Sequence, residues 1–153
     1  MKAEAPDTPA ELQRRALRLL ARREHSRAEL ARKLAARAAS PETLGELLDA
    51  LAAKRQLSDE RYAEERVRQL ARKYGAARIR QDLLAKGISA DAAARLSAAS
   101  GRDDIERART ILARKYWAPA ANLEERAKRA RFLHSRGFSY EVIRAALSSR
   151  EPV

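Results

Sequence analysis

Apolar residues recur along this chain at helical spacing, and polar capping residues mark where each helical stretch begins. Leu44, Leu47, Leu48 and Leu51 follow the i, i+3, i+4, i+7 rule for one buried stripe, on a helix opened by Ser40-Pro41. Upstream, Thr8-Pro9-Ala10-Glu11 supplies an N-cap, a proline at the first helical position and a glutamate at N3, so the first helix starts there. Ser26-Arg27-Ala28-Glu29 has the form of a second capping box. Ser58 opens a further helix, with Asp59 and Glu60 where a helix N-terminus attracts negative charge. Its inner face is expected to carry Ala63, Val67, Leu70 and Tyr74, and Gly75 is expected to end it in the left-handed conformation. The next helix runs from about Ala77 to Lys86, stops at Gly87, and gives way to a short helix capped by Ser89. From about Arg102 the pattern returns with Ile105, Ala108, Leu112 and Tyr116 inward. Leu123, Ala127, Ala130 and Leu133 then mark a helix ended by Gly137, and Phe138, Ile143 and Leu147 pack the last one. Met1 to Asp7 has the composition of a disordered tail.

These stretches repeat. Leu20-Ala21-Arg22-Arg23, Leu70-Ala71-Arg72-Lys73 and Leu112-Ala113-Arg114-Lys115 are near-identical phrases, each followed by a helix-opening serine at Ser40, Ser89 and Ser139. The serines lie 49 and 50 residues apart, the period of a stacked three-helix array. Aligned on them, Leu34, Leu83 and Leu133 share one position and Arg37, Lys86 and Arg136 another. Two units read Lys86-Gly87-Ile88-Ser89 and Arg136-Gly137-Phe138-Ser139, whereas the first has Ala38-Ala39 in place of the Gly-apolar pair. The third unit is longer by seven or eight residues near Trp117-Ala118-Pro119-Ala120-Ala121-Asn122, where proline and asparagine favour a loop. The expected fold class is all-α, an elongated tandem array of three three-helix repeats with about nine helices. Its boundaries are a disordered tail over 1–8 and repeats over 9–57, 58–100 and 101–150.

Composition agrees with that fold and adds a partner. Of the 153 residues 45% are hydrophobic but only 5% aromatic, enough Ala and Leu for helix packing and little of what sheets need. The formal net charge of +12 implies an anionic partner such as nucleic acid or an acidic protein surface. There is no cysteine, no apolar run of transmembrane length and no signal-peptide core, so a soluble cytoplasmic protein without membrane contact is expected.

The basic residues cluster. From Arg126 to Arg136 there are Arg126, Lys128, Arg129, Arg131 and Arg136 with no acid among them, and from Arg66 to Lys86 the only acid is Asp82. Acids gather in first turns, at Asp59, Glu60, Asp103, Asp104 and Glu106. Positive charge thus concentrates around the second helix of each unit, and stacking is expected to join it into a stripe. The candidate partner or nucleic-acid contacts are Arg22, Arg27, Arg32, Lys33 and Arg37 in the first unit. In the second they are Arg72, Lys73, Arg78, Arg80 and Lys86, and in the third Lys128, Arg129, Arg131 and Arg136. Arg22, Arg72-Lys73 and Arg114-Lys115 also sit near helix C-termini, where a cation offsets the macrodipole by roughly 0.3–1 kcal/mol. Tyr74, Tyr116 and Trp117 could stack on bases, but their helical spacing favours packing.

No catalytic, metal or cofactor site is indicated. The two histidines, His25 and His134, fall at different repeat positions with no cysteine or paired carboxylate at ligand spacing, and the five glycines form no phosphate loop. His25 lies at a helix junction and suits a turn role, not catalysis.

Four phrases, in order, carry a family resemblance. Arg23-Glu24-His25-Ser26-Arg27-Ala28-Glu29-Leu30, Asp59-Glu60-Arg61-Tyr62-Ala63, Ile79-Arg80-Gln81-Asp82-Leu83-Leu84-Ala85-Lys86-Gly87-Ile88 and Arg136-Gly137-Phe138-Ser139-Tyr140-Glu141-Val142-Ile143 resemble the RecX family of recombination regulators, over about Leu12 to Leu147. The resemblance implies a cytoplasmic, non-enzymatic, monomeric protein of three-helix repeats that binds the RecA recombinase filament in its groove. It further implies restraint of ATP turnover, strand exchange and co-protease activity, and so a part in recombination, DNA repair and the SOS response. Weak non-specific contact with single- or double-stranded DNA accompanies that reading. The competing expectation is a stand-alone DNA-binding protein of helix-turn-helix type, for which this chain has few base-reading Gln and Asn side chains.

Overall fold

The computed structural model describes residues 5–148, which contain nine helices and no strand. They are α1 (Pro9–Arg22), α2 (Arg27–Leu34), α3 (Pro41–Ala53), α4 (Asp59–Leu70), α5 (Ala76–Ala85), α6 (Ala90–Gly101), α7 (Asp104–Lys115), α8 (Leu123–Ser135) and α9 (Tyr140–Leu147). The caps explain where most of them start. Thr8 and Glu11 form a reciprocal capping box on α1. The repeat serines do the same work at three equivalent places, where Ser40, Ser89 and Ser139 side chains accept from the backbone N–H of Thr43, Ala92 and Val142. Ser26 caps α2, but Glu29 does not complete the expected box. Its carboxylate is taken by the Arg23 fork at 2.7 and 2.9 Å, a bidentate ion pair stronger than a neutral cap.

The described residues form two compact units, one running to Glu64 with Ala85–Ile88 added, the other comprising Glu65–Leu84 and the chain from Ser89 onward. In the first, α1, α2 and α3 pack around Leu12, Ala16, Leu30, Leu34, Leu44, Leu48, Leu51 and Leu57. In the second, α7 and α8 pack on α9 around Ala108, Ile111, Leu112, Leu133, Phe138, Ile143 and Ala146. Leu34, Leu83 and Leu133, aligned by sequence, are all fully buried.

One joint occurs twice. In the first unit, the Ser26 hydroxyl donates to the Lys86 carbonyl, Asp59 accepts from the Arg27 N–H at the start of α2, and Gly87 lies against Ala28. In the second, the Gly75 N–H donates to the Arg136 carbonyl, Asp104 accepts from the Ala76 N–H at the start of α5, and Gly137 lies against Arg78. The N-terminus of one second helix therefore meets the glycine turn after the next, and an acid from the first turn of α4 or α7 satisfies it. Gly87 and Gly137 have φ of +84° and +91°, and a Cβ on either would lie 2.4–2.5 Å from a neighbouring Cβ. At the equivalent position of the first repeat stands Ala38, and there the Arg37 carbonyl accepts from the Asp7 N–H.

Several sequence expectations are corrected here. The tail expected over 1–8 is ordered at its end: Asp7 is buried, its N–H donates to the Arg37 carbonyl, and its carboxylate binds Arg15 at 2.8 Å and Arg37 at 2.6 Å. Asp7 thus caps the carbonyl that Ser26 and Gly75 cap in the later repeats. Residues 1–4 and the end of the last repeat, 149–150, lie outside the described residues. Gly75 does not take a left-handed conformation; it is required because a Cβ would lie 2.5 Å from the Gly137 carbonyl oxygen. Ile105 is exposed, since Asp104 and Ala108 hold the inner face of α7 together with Ile111. The Leu-Ala-Arg-(Arg/Lys) phrases also occupy different registers: α4 ends at Leu70, so Ala71 to Lys73 form a turn, whereas Leu112 to Lys115 are the last turn of α7.

The buried ionisable groups set an acid limit. The arginines beside Asp7 and Glu29 hold their carboxyls down to about 2, below the usual carboxylate range. Depressed folded values stabilise the fold above the unfolded carboxylate pKa and lose that contribution as pH falls toward 2. His25 is buried, donating from Nδ1 to the Arg23 carbonyl at 3.1 Å and accepting at Nε2 from Lys33 at 3.0 Å, and burial lowers its pKa below 6.5. The unfolded chain then takes up a proton first as pH falls. Urea midpoints followed by circular dichroism are expected to fall below pH 6.5 and again below pH 4, and His25→Gln is expected to remove only the first step.

Candidate partner and nucleic-acid interface

The expected contact residues divide by what they already bind. Arg37 is committed to Asp7 and Arg27 to Asp49 at 2.7 Å, while Lys33 serves His25 and stands 3.8 Å from Glu29. Arg22 and Arg32 are exposed on α1 and α2, and Lys86 is half-buried at the glycine turn. On α5, Arg78 and Arg80 are exposed; Arg78 reaches the Ser135 carbonyl at 3.3 Å and lies 4.9 Å over the Tyr74 ring. On α8, Lys128 and Arg131 point to solvent, and the Arg129 guanidinium lies 4.3 Å over Tyr116. The Tyr74 and Tyr116 rings are half-buried beneath arginines, as packing predicts. Trp117 departs from that expectation: it follows the end of α7, no helix fixes it, and it is 96% exposed.

Three of the expected residues converge. Arg72 and Lys73 in the α4–α5 turn and Arg136 after α8 line a pocket of about 300 Å³ with Ile111, Arg114, Lys115 and Phe132. Sequence reasoning passes over Arg114 and Lys115 as dipole-offsetting cations. The available signal is that Arg72-Lys73 and Arg114-Lys115 are two copies of one phrase.

A second concave surface lies between α8 and α9. Leu123, Ala127, Ala130, Tyr140, Ile143 and Leu147 line it, with Arg126 and Arg144 also present, and Leu123 and Tyr140 are largely exposed. Exposed apolar groups bounded by arginine are the composition of a protein-binding surface. Among the described residues no group of His, Asp or Glu could hold a metal ion, and no helix is long and apolar enough to cross a membrane.

Comparison with known proteins agrees with this arrangement repeat by repeat. The sequence matches the family descriptions "RecX, first three-helix domain" over residues 14–54, "RecX, second three-helix domain" over 58–95 and "RecX, third three-helix domain" over 102–147. It is 47% identical over 136 residues to the regulatory protein RecX of Leptothrix cholodnii, covering 89% of this chain and 87% of that one. It is 45% identical over 144 residues to the regulatory protein RecX of Herbaspirillum seropedicae, covering 94% of both. The crystal structure of RecX from Lactobacillus salivarius superposes with a TM-score of 0.78 at 22% identity, over 91% of this chain and 94% of that one. With three tandem three-helix domains, all matched in order, the chain belongs to the RecX family of regulatory proteins.

Proposed function

We propose that this protein binds the RecA recombinase filament in its groove and inhibits its ATPase, strand-exchange and co-protease activities, thereby regulating recombination, DNA repair and the SOS response. Family membership carries the proposal. The three repeats, taken as 9–57, 58–100 and 101–150, act as successive contact modules of a cytoplasmic monomer, so that modest contacts add through effective concentration. The apolar α8–α9 surface supports a protein partner, because a phosphate backbone offers nothing for Leu123 and Tyr140 to bury. The exposed cations Arg32, Arg78, Arg80, Lys128 and Arg131 supply weak, salt-sensitive contact with DNA beside the filament.

The experiment is single-stranded-DNA-dependent ATP hydrolysis by preformed recombinase filaments. Inhibition is expected at protein well below one copy per recombinase subunit, because one molecule bridging several subunits stalls a longer stretch. Inhibition that needs enough protein to cover the DNA lattice, and that fades with pre-incubation of the recombinase, would favour the stand-alone DNA binder instead.

A further inference from the structure

We propose that the concave surface between α8 and α9 seats a helix of a partner protein, a helix apolar on one face and carrying an aspartate or glutamate in its first turn. This rests on reading that surface as protein-binding, but not on the recombinase being the protein.

The first argument is that one kind of seat is covered twice in this chain and open once. Aligned on Ser40, Ser89 and Ser139, Glu125 falls with Ser26 and Gly75, and Arg126 falls with Arg27 and Ala76. Ser26 and Gly75 are buried and Arg27 and Ala76 half-buried at the two joints, whereas Glu125 and Arg126 are exposed. Leu147 repeats the contrast: its equivalents Leu48 and Ser97 are 3% and 4% exposed, while Leu147 itself is only half-buried.

The second argument is what does the covering. At both joints the arriving element brings an aspartate from the first turn of a helix, Asp59 of α4 to the Arg27 N–H at 2.7 Å and Asp104 of α7 to the Ala76 N–H at 3.2 Å. Because α8 already begins at Leu123, the Arg126 N–H is bonded to the Asn122 carbonyl, and what Arg126 offers an acid is its guanidinium. Arg144 lines the same hollow, and no carboxylate does. An acidic helix end is complementary to that lining. A second copy, with a net charge of +12 and the same two arginines, is not.

The third argument is the shape of the occupant. Leu123, Ala127 and Ala130 form one row on α8, and Tyr140, Ile143 and Leu147 form another on α9. Both rows follow helical spacing and extend about 11 Å, or two turns, beside a hollow of about 680 Å³. An extended segment laid there would leave its backbone N–H and C=O groups unpaired against apolar side chains, whereas a helix pairs its own. The apolar end of the seat belongs to the third repeat alone, since Glu24 and Lys73 stand where Leu123 does.

The test is fluorescence anisotropy with the full chain, without recombinase, using as probe a labelled, hydrocarbon-stapled helical peptide of about 14 residues. The peptide has leucines at i, i+3, i+4 and i+7 and acids in its first turn; one comparator has the same composition scrambled, and another has lysines for the acids. The acidic peptide is expected to bind saturably and at least tenfold more tightly than either comparator. Leu123→Asp is expected to weaken it about tenfold with an unchanged melting temperature, because Leu123 is largely exposed in the free protein and loses its apolar contact only in the complex. Should that variant melt early, Ala127→Glu serves, with the same expected loss. Leu84→Asp, an exposed leucine on α5 outside the groove, is expected to stay within threefold. Arg126→Glu/Arg144→Glu is expected to reverse the preference toward the lysine peptide. A scrambled peptide that binds equally, a Leu123→Asp protein that binds like the parent, or a charge reversal that leaves the preference unchanged would each overturn the proposal. So would displacement of the peptide by an oligonucleotide as readily as by unlabelled peptide, or a dimer in sedimentation that Leu123→Asp abolishes, which would assign the groove to nucleic acid or to a second copy. A chain that binds the peptide here yet leaves recombinase ATP hydrolysis uninhibited overturns the filament reading alone.

Discussion

Gly137→Ala is expected to lower the melting temperature by about 6–12 °C, from a loss of about 3 kcal/mol at about 2–4 °C per kcal/mol in a chain of this size. Two costs combine. Residue 137 has φ of +91°, which alanine adopts only under strain. The added Cβ would also lie 2.4 Å from the Arg78 Cβ and 2.6 Å from its backbone nitrogen. Backbone cannot swing aside as a flexible side chain can, so the start of α5 must retreat and the bond from the Gly75 N–H to the Arg136 carbonyl, 2.8 Å long, must break. Gly45→Ala is the control: it lies within α3 with nothing within 4 Å of an added Cβ, and helix propensity predicts a gain of up to about 1 kcal/mol. Thermal melts of the two variants beside the parent check both signs. A Gly137→Ala protein that melts with the parent would mean the joint is not closed as described.

Arg107→Ala is expected to be comparably damaging, at about 3–5 kcal/mol. Its guanidinium donates to the Ala71 carbonyl at 3.1 Å, to the Ser100 carbonyl at 2.6 Å and to the Tyr74 carbonyl, and pairs with Asp104 at 2.6 Å. Three carbonyls after α4 and within α6 are thus satisfied by one side chain. Asp104 is buried, and desolvation pushes its carboxyl up while the Ala76 N–H and Arg107 pull it down. Removing Arg107 leaves that carboxylate without its cation and the carbonyls without a donor. Arg107→Lys is expected to recover little, because a single ammonium cannot reproduce the planar fork. Urea unfolding of Arg107→Ala, Arg107→Lys and Asp104→Asn is the measurement. A lysine variant as stable as the parent would show that charge alone holds the joint. The same contacts mean that deleting the third repeat after Ser100 strips Asp104 and Arg107 from the second, so point variants probe its function more cleanly than truncation.

Much of the candidate interface was legible as composition and little of it as geometry. The exposed cations Arg78, Arg80, Lys128 and Arg131 follow from a basic run on a helix, and the structure leaves them at the surface. Arg27 and Arg37 belong to equally basic runs, yet their partners Asp49 and Asp7 lie 22 and 30 residues away, beyond any local pattern. The pocket joins Arg72 to Arg136 across 64 residues, so no window on the sequence contains it.

What the sequence determined by itself is local: helix starts at Thr8, Ser26, Ser40, Ser89 and Ser139, turns at Gly87 and Gly137, and a repeat period that places Leu34, Leu83 and Leu133 in the core. Each follows from interactions within one helical turn or from burial of one face, and these are encoded by residues a few positions apart. Tertiary structure alone decided the rest. Gly75 is needed for a neighbour's backbone and not for its own φ, Asp59 and Asp104 cap helices other than those they begin, and Asp7 binds the Arg37 carbonyl as Ser26 and Gly75 bind those of Lys86 and Arg136. Those roles arise only when distant segments bring unsatisfied N–H groups, carbonyls and charges within hydrogen-bonding distance of one another.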